Sequence, residues 1–390
     1  MAIAVYSRRW TMAVRRRMWR TKGGERREAW IVDYLDAQGH RHIETYSRRA
    51  DAQSRYAKVQ VDIGQGIHTP INQSPTVAEA AEPWLQSCTH RQIERTTMET
   101  YRQQVALHLL PFIGSTRLAQ LTTPMVRSFV DELHQAALAM IKKVLVRLSS
   151  ILTDAQERGL VAQNVVRNLR RRGTNQESRI RGKLKVGENI PAPDEIRAII
   201  AALQGRWRPL LLTAIFTGLR ASELRALRWS DINLKHHELH VRQRADRYNT
   251  MGRPKSAAGV RSIPIPPILA NTLKEHRLAS EHDLVFANGR GNVENWANIV
   301  NRGFHPAQIK AGVVTKDGKP KYTGLHALRH FYASWCINRR ADGGLELPLK
   351  VVQARLGHAS ISMTADTYGH LFPRGDDGVE LAAAERAFLT

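Results

Sequence analysis

Two stretches that cannot be buried in a compact core divide the 390-residue chain into three segments. Residues 64–75 are rich in glycine, proline, asparagine and serine, which favour turns and linkers over helices and strands. Residues 167–185 combine eight lysine and arginine residues with a single acidic residue, and such a charge density excludes burial. The chain must therefore fold as several domains, as its length also favours.

The first segment, residues 1–65, predicts a small sheet with one helix. Residues 29–34 and 41–46 alternate between apolar and polar side chains on either side of a turn at 36–39, which is typical of a β-hairpin. A helical pattern follows over residues 49–63. This segment has 14 lysine and arginine residues against seven acidic ones, so it is a markedly basic domain.

The other two segments are mainly helical. Residues 76–168 predict an all-α domain, with threonine caps at Thr76 and at residues 96–97. Residues 169–190 form the basic linker, which is either only solvated or also binds phosphates. Residues 191–390 mix helices with short strands, so we predict an α+β domain, mainly helical with a small antiparallel sheet.

The net charge of +24 favours a polyanionic partner, although basic ribosomal, chromatin and membrane-surface proteins share this property. Cys88 and Cys336 are too few and too far apart for a disulfide framework, which indicates a reducing compartment. We find no apolar stretch of transmembrane length and expect no membrane partner. These features predict a cytoplasmic location.

Several short segments contain residues suited to chemistry, although each alone has an ordinary structural interpretation. Arg220 and Glu223 lie one helical turn apart, as do His326 and Arg329, which by itself would indicate ion pairs or core contacts. Lys255 lies in a turn between two strands, where a lysine is usually only solvated. Later in the chain, His358 could cap a helix and Tyr368 could be a half-buried aromatic residue.

Taken together, these segments resemble the catalytic motifs of the tyrosine recombinase (phage integrase) family. Residues 217–224 (TGLRASEL), 326–330 (HALRH), 356–358 (LGH) and Tyr368 occur in the order and at the separations of that family. The resemblance covers roughly residues 191–373. It implies an enzyme that cleaves and rejoins duplex DNA through a covalent 3′-phosphotyrosine.

The resemblance assigns phosphate binding to Arg220 and Arg329. Two guanidinium groups can bind the nonbridging oxygens with paired hydrogen bonds and stabilise the charge that develops in the transition state, a geometry that lysine cannot reproduce. His358 would hydrogen-bond the same phosphate.

The remaining roles concern the nucleophile and its protons. By resemblance, Tyr368 attacks the phosphorus and Lys255 donates a proton to the departing 5′-oxygen. His326 would serve Tyr368 as acid and base, and Glu223 would orient Arg220 or His326.

Because arginines supply the electrostatics, the resemblance implies neither a metal nor another cofactor. His236, Glu238 and His240 would share one face of a strand, but they lack the helical HExxH arrangement of zinc enzymes. We interpret them as an exposed polar strand.

The resemblance extends to the other domains and to the partners. Residues 76–168 are similar to a core-binding helical domain, and residues 1–65 more weakly resemble an arm-type DNA-binding domain. The implied partners are duplex DNA at core and arm-type sites, a homotetramer on DNA, and an excisionase or host DNA-bending protein, at the nucleoid of a bacterial host. We expect DNA contacts from Arg15, Arg16, Arg17, Arg41, Arg170, Arg171, Arg172, Arg179 and Arg181.

Alternatives remain open within and beyond this interpretation. A chromosome-dimer resolvase would lack a basic domain like residues 1–65, whereas a transposon recombinase is compatible with it. A DNA-binding regulator without catalysis would have lost Tyr368 or an arginine, and a type IB topoisomerase would act as a monomer. An amphipathic pattern at residues 379–389 could pack on the same chain or on a neighbouring protomer.

Overall fold

The computed structural model describes residues 13–21, 23–36, 39–64, 70, 74–133, 138–167, 169, 183–372 and 377–389. The chain divides into two compact units, residues 1–172 and 173–390. Five of the arginines expected to contact DNA lie outside the described residues, namely Arg170, Arg171, Arg172, Arg179 and Arg181.

The first unit begins with a three-stranded antiparallel sheet in the order β1 (Ala13–Arg20), β2 (Arg26–Leu35), β3 (Arg41–Tyr46). Helix α1 (Arg49–Gly64) packs on one face of this sheet through a small apolar core. The predicted hairpin and helix are confirmed. Strand β1 is not predicted by the sequence, because three consecutive arginines interrupt the alternation that identifies a strand.

Among the described residues of the first unit, five α-helices follow: α2 (Val77–His90), α3 (Arg95–His108), α4 (Leu110–Ile113), α5 (Thr123–Glu132) and α6 (Leu138–Glu157). They enclose their own apolar core, which includes Trp84, Val105, Phe129, Leu148 and Ile151. The predicted all-α segment is confirmed.

The start of α2 is fixed as the sequence predicts. Thr76 Oγ1 accepts a hydrogen bond from the backbone N–H of Glu79 at 3.2 Å, and the Glu79 carboxylate accepts one from the Thr76 N–H at 2.7 Å. The predicted cap of α3 at residues 96–97 is wrong. Helix α3 begins two residues earlier, because the Glu94 carbonyl already accepts hydrogen bonds from the backbone N–H groups of the first turn.

The second unit combines many helices with two small antiparallel sheets, which confirms the predicted α+β class. Its elements are α7 (Pro193–Ala202), α8 (Trp207–Thr217), α9 (Ala221–Arg225), β4 (Ile232–Asn233), β5 (Glu238–Val241), β6 (Arg244–Ala245), β7 (Met251–Gly252), β8 (Arg261–Pro264), α10 (Pro267–Leu278), α11 (Trp296–Asn298), α12 (His305–Lys310), α13 (His326–Ile337), α14 (Leu349–Leu356), α15 (Ile361–Tyr368) and α16 (Asp377–Leu389). One sheet has the order β4, β5, β8, and the other pairs β6 with β7. No helix in the described part of the chain is long and apolar enough to cross a membrane.

Helix α8 forms the centre of this unit. It is apolar on almost every side, and a helix of that kind is stable only when it is buried all round. It packs against α10 and α13 and ends at Gly218, which has a φ of +59°. A side chain at Gly218 would overlap the ring of Tyr332 on α13, so this glycine allows the close approach of the two helices.

Candidate active site

Three of the motif segments meet where α8, α13 and α14 come together, and Arg329 links them. Its guanidinium donates one hydrogen bond to the Gly218 carbonyl at 2.7 Å and another to the Leu356 carbonyl at 2.6 Å. Arg220 reaches the neighbouring carbonyl of Gly357 at 3.1 Å. The segments 217–224, 326–330 and 356–358 therefore form one cluster.

Arg329 is buried, with 2% of its surface exposed. Burial, and then the charge of Arg220, lowers the pKa of the Arg329 guanidinium to about 9. The group is still charged at neutral pH, and both of its hydrogen bonds are to neutral carbonyl groups. A cation held in this way is electrostatically poised to receive an anion.

Arg220 is more accessible, and a carboxylate holds it. Its guanidinium donates to Glu223 Oε1 at 2.8 Å, and its backbone N–H donates to Glu223 Oε2 at 3.0 Å. The Arg220 side chain is 37% exposed, whereas the Glu223 side chain is 3% exposed. The predicted contact across one helical turn is present, and it leaves part of the guanidinium facing solvent.

A second arginine, Arg261, binds the same carboxylate and is missed by the sequence analysis. Its Nη2 donates to Glu223 Oε2 at 2.8 Å and its Nε donates to the Arg355 carbonyl at 2.7 Å. Burial alone would raise the pKa of the Glu223 carboxyl, but hydrogen bonds and charge from Arg261, with the charge of Arg220, lower it. The sequence gives little signal for this role, since an arginine at the start of a strand is ordinarily solvated.

Tyr368 ends α15 and is 1% exposed. Its hydroxyl lies 2.8 Å from His330 Nδ1, and its ring is parallel to that of His358 with centroids 6.3 Å apart. Burial raises the pKa of the Tyr368 phenol to about 12, although the charges of Arg329 and Arg220 act in the opposite direction. Both guanidinium groups therefore exert their fields at this oxygen.

The two histidines of the 326–330 segment have different positions. The sequence analysis pairs Tyr368 with His326, but the structure places His330 at the phenol. His326 is exposed and packs edge-on against His330, with ring centroids 4.6 Å apart. Although the side chain is accessible, the protein around it partly desolvates the ring, and this effect, then the charges of Arg329 and Arg220, lowers the pKa of His326.

His358 follows Gly357, which ends α14 with a φ of +64°. The His358 ring is buried, and its Nδ1 lies 2.9 Å from Thr364 Oγ1. Burial and then the nearby arginine charges lower the pKa of His358 to about 4, so the ring is neutral at physiological pH.

Lys255 lies exposed on the segment between β7 and β8. The backbone of this segment reaches the cluster at Gly259, whose carbonyl accepts a hydrogen bond from Arg261 at 2.9 Å. Lys255 is therefore only a few residues in sequence from Gly259, which Arg261 links to Glu223.

No group of three or more histidine, cysteine, aspartate or glutamate side chains within the described ranges could hold a metal ion. His236 precedes β5, so it does not share a strand face with Glu238 and His240. His240 Nδ1 instead lies 2.6 Å from Ser262 Oγ.

Comparison with known sequences agrees with this geometry. The phage integrase family matches residues 191–374, and the phage integrase central domain matches residues 77–172. A XerC-like tyrosine recombinase of Caldanaerobacter subterraneus subsp. tengcongensis is 27% identical over 79% of this chain and 83% of its own length. The integrase of Mycobacterium phage D29 is 24% identical over 97% of this chain and 100% of its own length.

Solved structures show the same fold. The integrase of the transposon Tn1549, in complex with a circular intermediate DNA, aligns with a TM-score of 0.62 at 16% identity, over 80% of this chain and 100% of that one. A lambda integrase tetramer bound to a Holliday junction aligns with a TM-score of 0.55 at 18% identity, over 88% of this chain and 96% of that one.

The double anchoring of Glu223 predicts a large effect of Arg261→Met on stability. The substitution removes one of two cations from a buried carboxylate, and such losses cost about 3 kcal/mol. Urea unfolding at pH 7 should show this decrease in the free energy of unfolding. The exposed pair of Arg197 and Asp194 provides the control, because Arg197→Met should cost under about 1 kcal/mol.

The pH dependence of this difference has a definite sign. The pKa of Glu223 is lowered in the folded state, so its pairing stabilises the protein above the unfolded pKa and is lost as the pH falls through the folded pKa. The difference in the free energy of unfolding between wild type and Arg261→Met should therefore become smaller below about pH 4. If Arg261→Met lowers the free energy of unfolding at pH 7 by no more than Arg197→Met does, the assigned role of Arg261 is contradicted.

Proposed function

The chain belongs to the tyrosine recombinase (phage integrase) family, and we propose that it is a site-specific DNA recombinase that integrates and excises a mobile element. In this proposal it cleaves and rejoins duplex DNA through a 3′-phosphotyrosine at Tyr368. One observation carries the proposal. Arg220 and Arg329 come from separate segments to bond the adjacent carbonyls of Gly357 and Leu356, and the next residue, His358, stacks on the Tyr368 ring.

The chemistry needs this arrangement because the anionic oxygens of a phosphodiester repel nucleophiles. Arg220 and Arg329 supply two forked donors, both charged at neutral pH, for the nonbridging oxygens, and they stabilise the charge of the pentacovalent transition state. His358 presents a neutral ring beside them for a further hydrogen bond. Glu223 and Arg261 keep Arg220 in place.

The covalent bond conserves the energy of the phosphodiester. A phenol is a better leaving group than an alkyl alcohol, so religation to a new 5′-hydroxyl needs no nucleoside triphosphate. Lys255 would donate the proton that the departing 5′-oxygen requires, from its exposed segment between β7 and β8. The proposal includes no metal and no other cofactor.

We propose that the N-terminal sheet binds arm-type DNA sites through the face opposite α1. Arg15 and Arg41 both pair with Asp33 on this face, and the alternation of strand β1 places Arg17 beside them. Trp19, on the same face, is 41% exposed. Arg16 points to the other face and pairs with Glu28, so we expect it to contribute less to this contact.

The remaining domains would hold the core site. We propose that residues 76–168 and residues 191–390 each bind the core site, and that the basic linker, residues 169–190, contributes further cations to this binding. Salt-dependent contacts to phosphates would then arise at several separate places along the chain.

Two protomers would bind each duplex, and four would exchange strands through a Holliday junction. Helix α16 exposes Leu381, Phe388 and Leu389 at 69%, 88% and 74%, which favours docking on a neighbouring protomer over packing on its own chain. An excisionase or a host DNA-bending protein would set the direction of the reaction, which would take place at the nucleoid in the cytoplasm of a bacterial host.

A nicked suicide duplex tests the proposed function. The duplex would carry the binding site recovered by selecting bound molecules from a random pool. We expect an SDS-resistant complex in which the 3′-phosphate of the DNA is attached to the tryptic peptide 356–374, whose only tyrosine is Tyr368. Chelators should have no effect. Relaxation of plasmids that lack the site, by a monomer, would indicate a type IB topoisomerase instead.

A further inference from the structure

We propose that His330, rather than His326, accepts the proton of the Tyr368 hydroxyl when that oxygen attacks the phosphate. The inference rests on the proposed role of Tyr368 as the nucleophile. His330 is then a catalytic residue, because its ring contacts the reacting oxygen.

His330, and not His326, contacts the Tyr368 hydroxyl. His326 and His330 are four residues apart on α13, so their side chains lie on the same face of the helix. His330 Nδ1 lies 2.8 Å from Tyr368 Oη, within the distance for direct proton transfer. His326 lies one ring further on and packs against His330 edge-on.

The protonation states of His330 and Tyr368 fix which of them donates the hydrogen bond. Burial, then His326 and the charge of Arg329, lowers the pKa of His330 to about 4, so its ring is neutral at pH 7. The pKa of the Tyr368 phenol is about 12, so the phenol keeps its proton. The phenol therefore donates to Nδ1, which leaves the ring proton on Nε2. His358, which stacks on Tyr368, has its own partner in Thr364.

A neutral histidine is basic enough for this step because two changes accompany the reaction. The phosphate of the DNA brings negative charge against Arg220 and Arg329, which weakens their effect on His330 and raises its pKa toward the ordinary value. In addition, the Oη–H group becomes strongly acidic as the oxygen bonds to phosphorus. The proton can then move to Nδ1 without prior formation of a free phenolate.

The step balances in protons and electron pairs. The Oη–H proton moves to His330 Nδ1 while the Oη lone pair forms the bond to phosphorus. The bond from phosphorus to the 5′-oxygen breaks, and the 5′-oxygen takes a proton from Lys255. Religation reverses each transfer, so His330 returns the proton to Tyr368.

The test is the pH dependence of single-turnover adduct formation on the suicide duplex, measured from pH 7 to pH 8.5. We expect the wild-type rate to change little with pH over this range. His330→Ala should be about 10²-fold slower at pH 7. Its rate should then rise about tenfold per pH unit, because Tyr368 must first lose its proton to solvent.

Two further variants separate proton transfer from positioning. His330→Asn keeps a hydrogen-bond acceptor near the Nδ1 position but cannot take up a proton, so it should fold normally and show the same slope as His330→Ala. His326→Ala should keep the flat profile. A flat profile in both His330 variants, or a slope in His326→Ala alone, would overturn the proposal.

A second substrate checks the step independently. A 5′-bridging phosphorothiolate has a leaving group that needs no proton, so it should restore cleavage by Lys255→Ala and leave His330→Ala slow. Rescue of His330→Ala by this substrate would assign His330 to the leaving group and overturn the proposal. The wild-type protein is tested separately for the Tyr368 adduct. A missing adduct would contradict the proposed function, whereas the His330 variants test only the proton transfer.

Discussion

Tyr368→Phe is expected to abolish covalent attachment to the suicide duplex, with a loss of more than about 10³-fold, while duplex binding changes little. The substitution removes only the hydroxyl oxygen, which is the proposed nucleophile. The phenyl ring keeps its buried position and its contact with the His358 ring. The lost hydrogen bond to His330 should lower the free energy of unfolding by about 1 kcal/mol.

Tyr322→Phe provides a matched control for this measurement. Tyr322 is also buried in the second unit, and its hydroxyl donates to Glu195 Oε2 at 2.6 Å. Its substitution should cost at least as much stability as Tyr368→Phe, but adduct formation should stay near the wild-type rate. A persistent adduct in Tyr368→Phe would remove Tyr368 from the role of nucleophile.

Local pattern accounts for most of what the sequence predicts. The hairpin of residues 29–46 and the capping box at Thr76 depend on residues only a few positions apart. The pairing of Arg220 with Glu223 is likewise set by one helical turn. Such interactions follow from backbone geometry that any chain shares, so they can be read before the fold is known.

The contacts that sequence analysis missed are those between distant segments. Arg261 and Glu223 are 38 residues apart, as are His330 and Tyr368. No periodic pattern connects the members of either pair. Tertiary packing brings them together, including that of α14 against α13, α15 and β8. The motif resemblance implied which residues act together, but it paired Tyr368 with His326, and the contact of His330 with the Tyr368 hydroxyl is visible only in the three-dimensional arrangement.

Arg329 has a structural role and, in the proposed function, a chemical role as well, which makes Arg329→Lys informative. Its two hydrogen bonds hold the carbonyls of Gly218 and Leu356, one in each neighbouring motif segment. A lysine keeps the charge but has a single nitrogen, so it cannot bond both carbonyls and also present a fork to the phosphate. The variant thus separates charge from geometry at one position.

We expect Arg329→Lys to slow adduct formation by about 10³-fold, as loss of a preorganised donor to a transition-state oxyanion does. The salt dependence of duplex binding should be unchanged, because the number of cations is the same. Arg225→Lys is the matched control. Arg225 is also a buried arginine, and it bonds the carbonyls of Glu294 and Asp246. Its substitution should destabilise the fold comparably, as measured by urea unfolding, yet slow cleavage less than about tenfold. Equal rate losses in the two variants would mean that Arg329 acts only by supporting the fold, whereas the expected difference would assign its guanidinium fork to the phosphate.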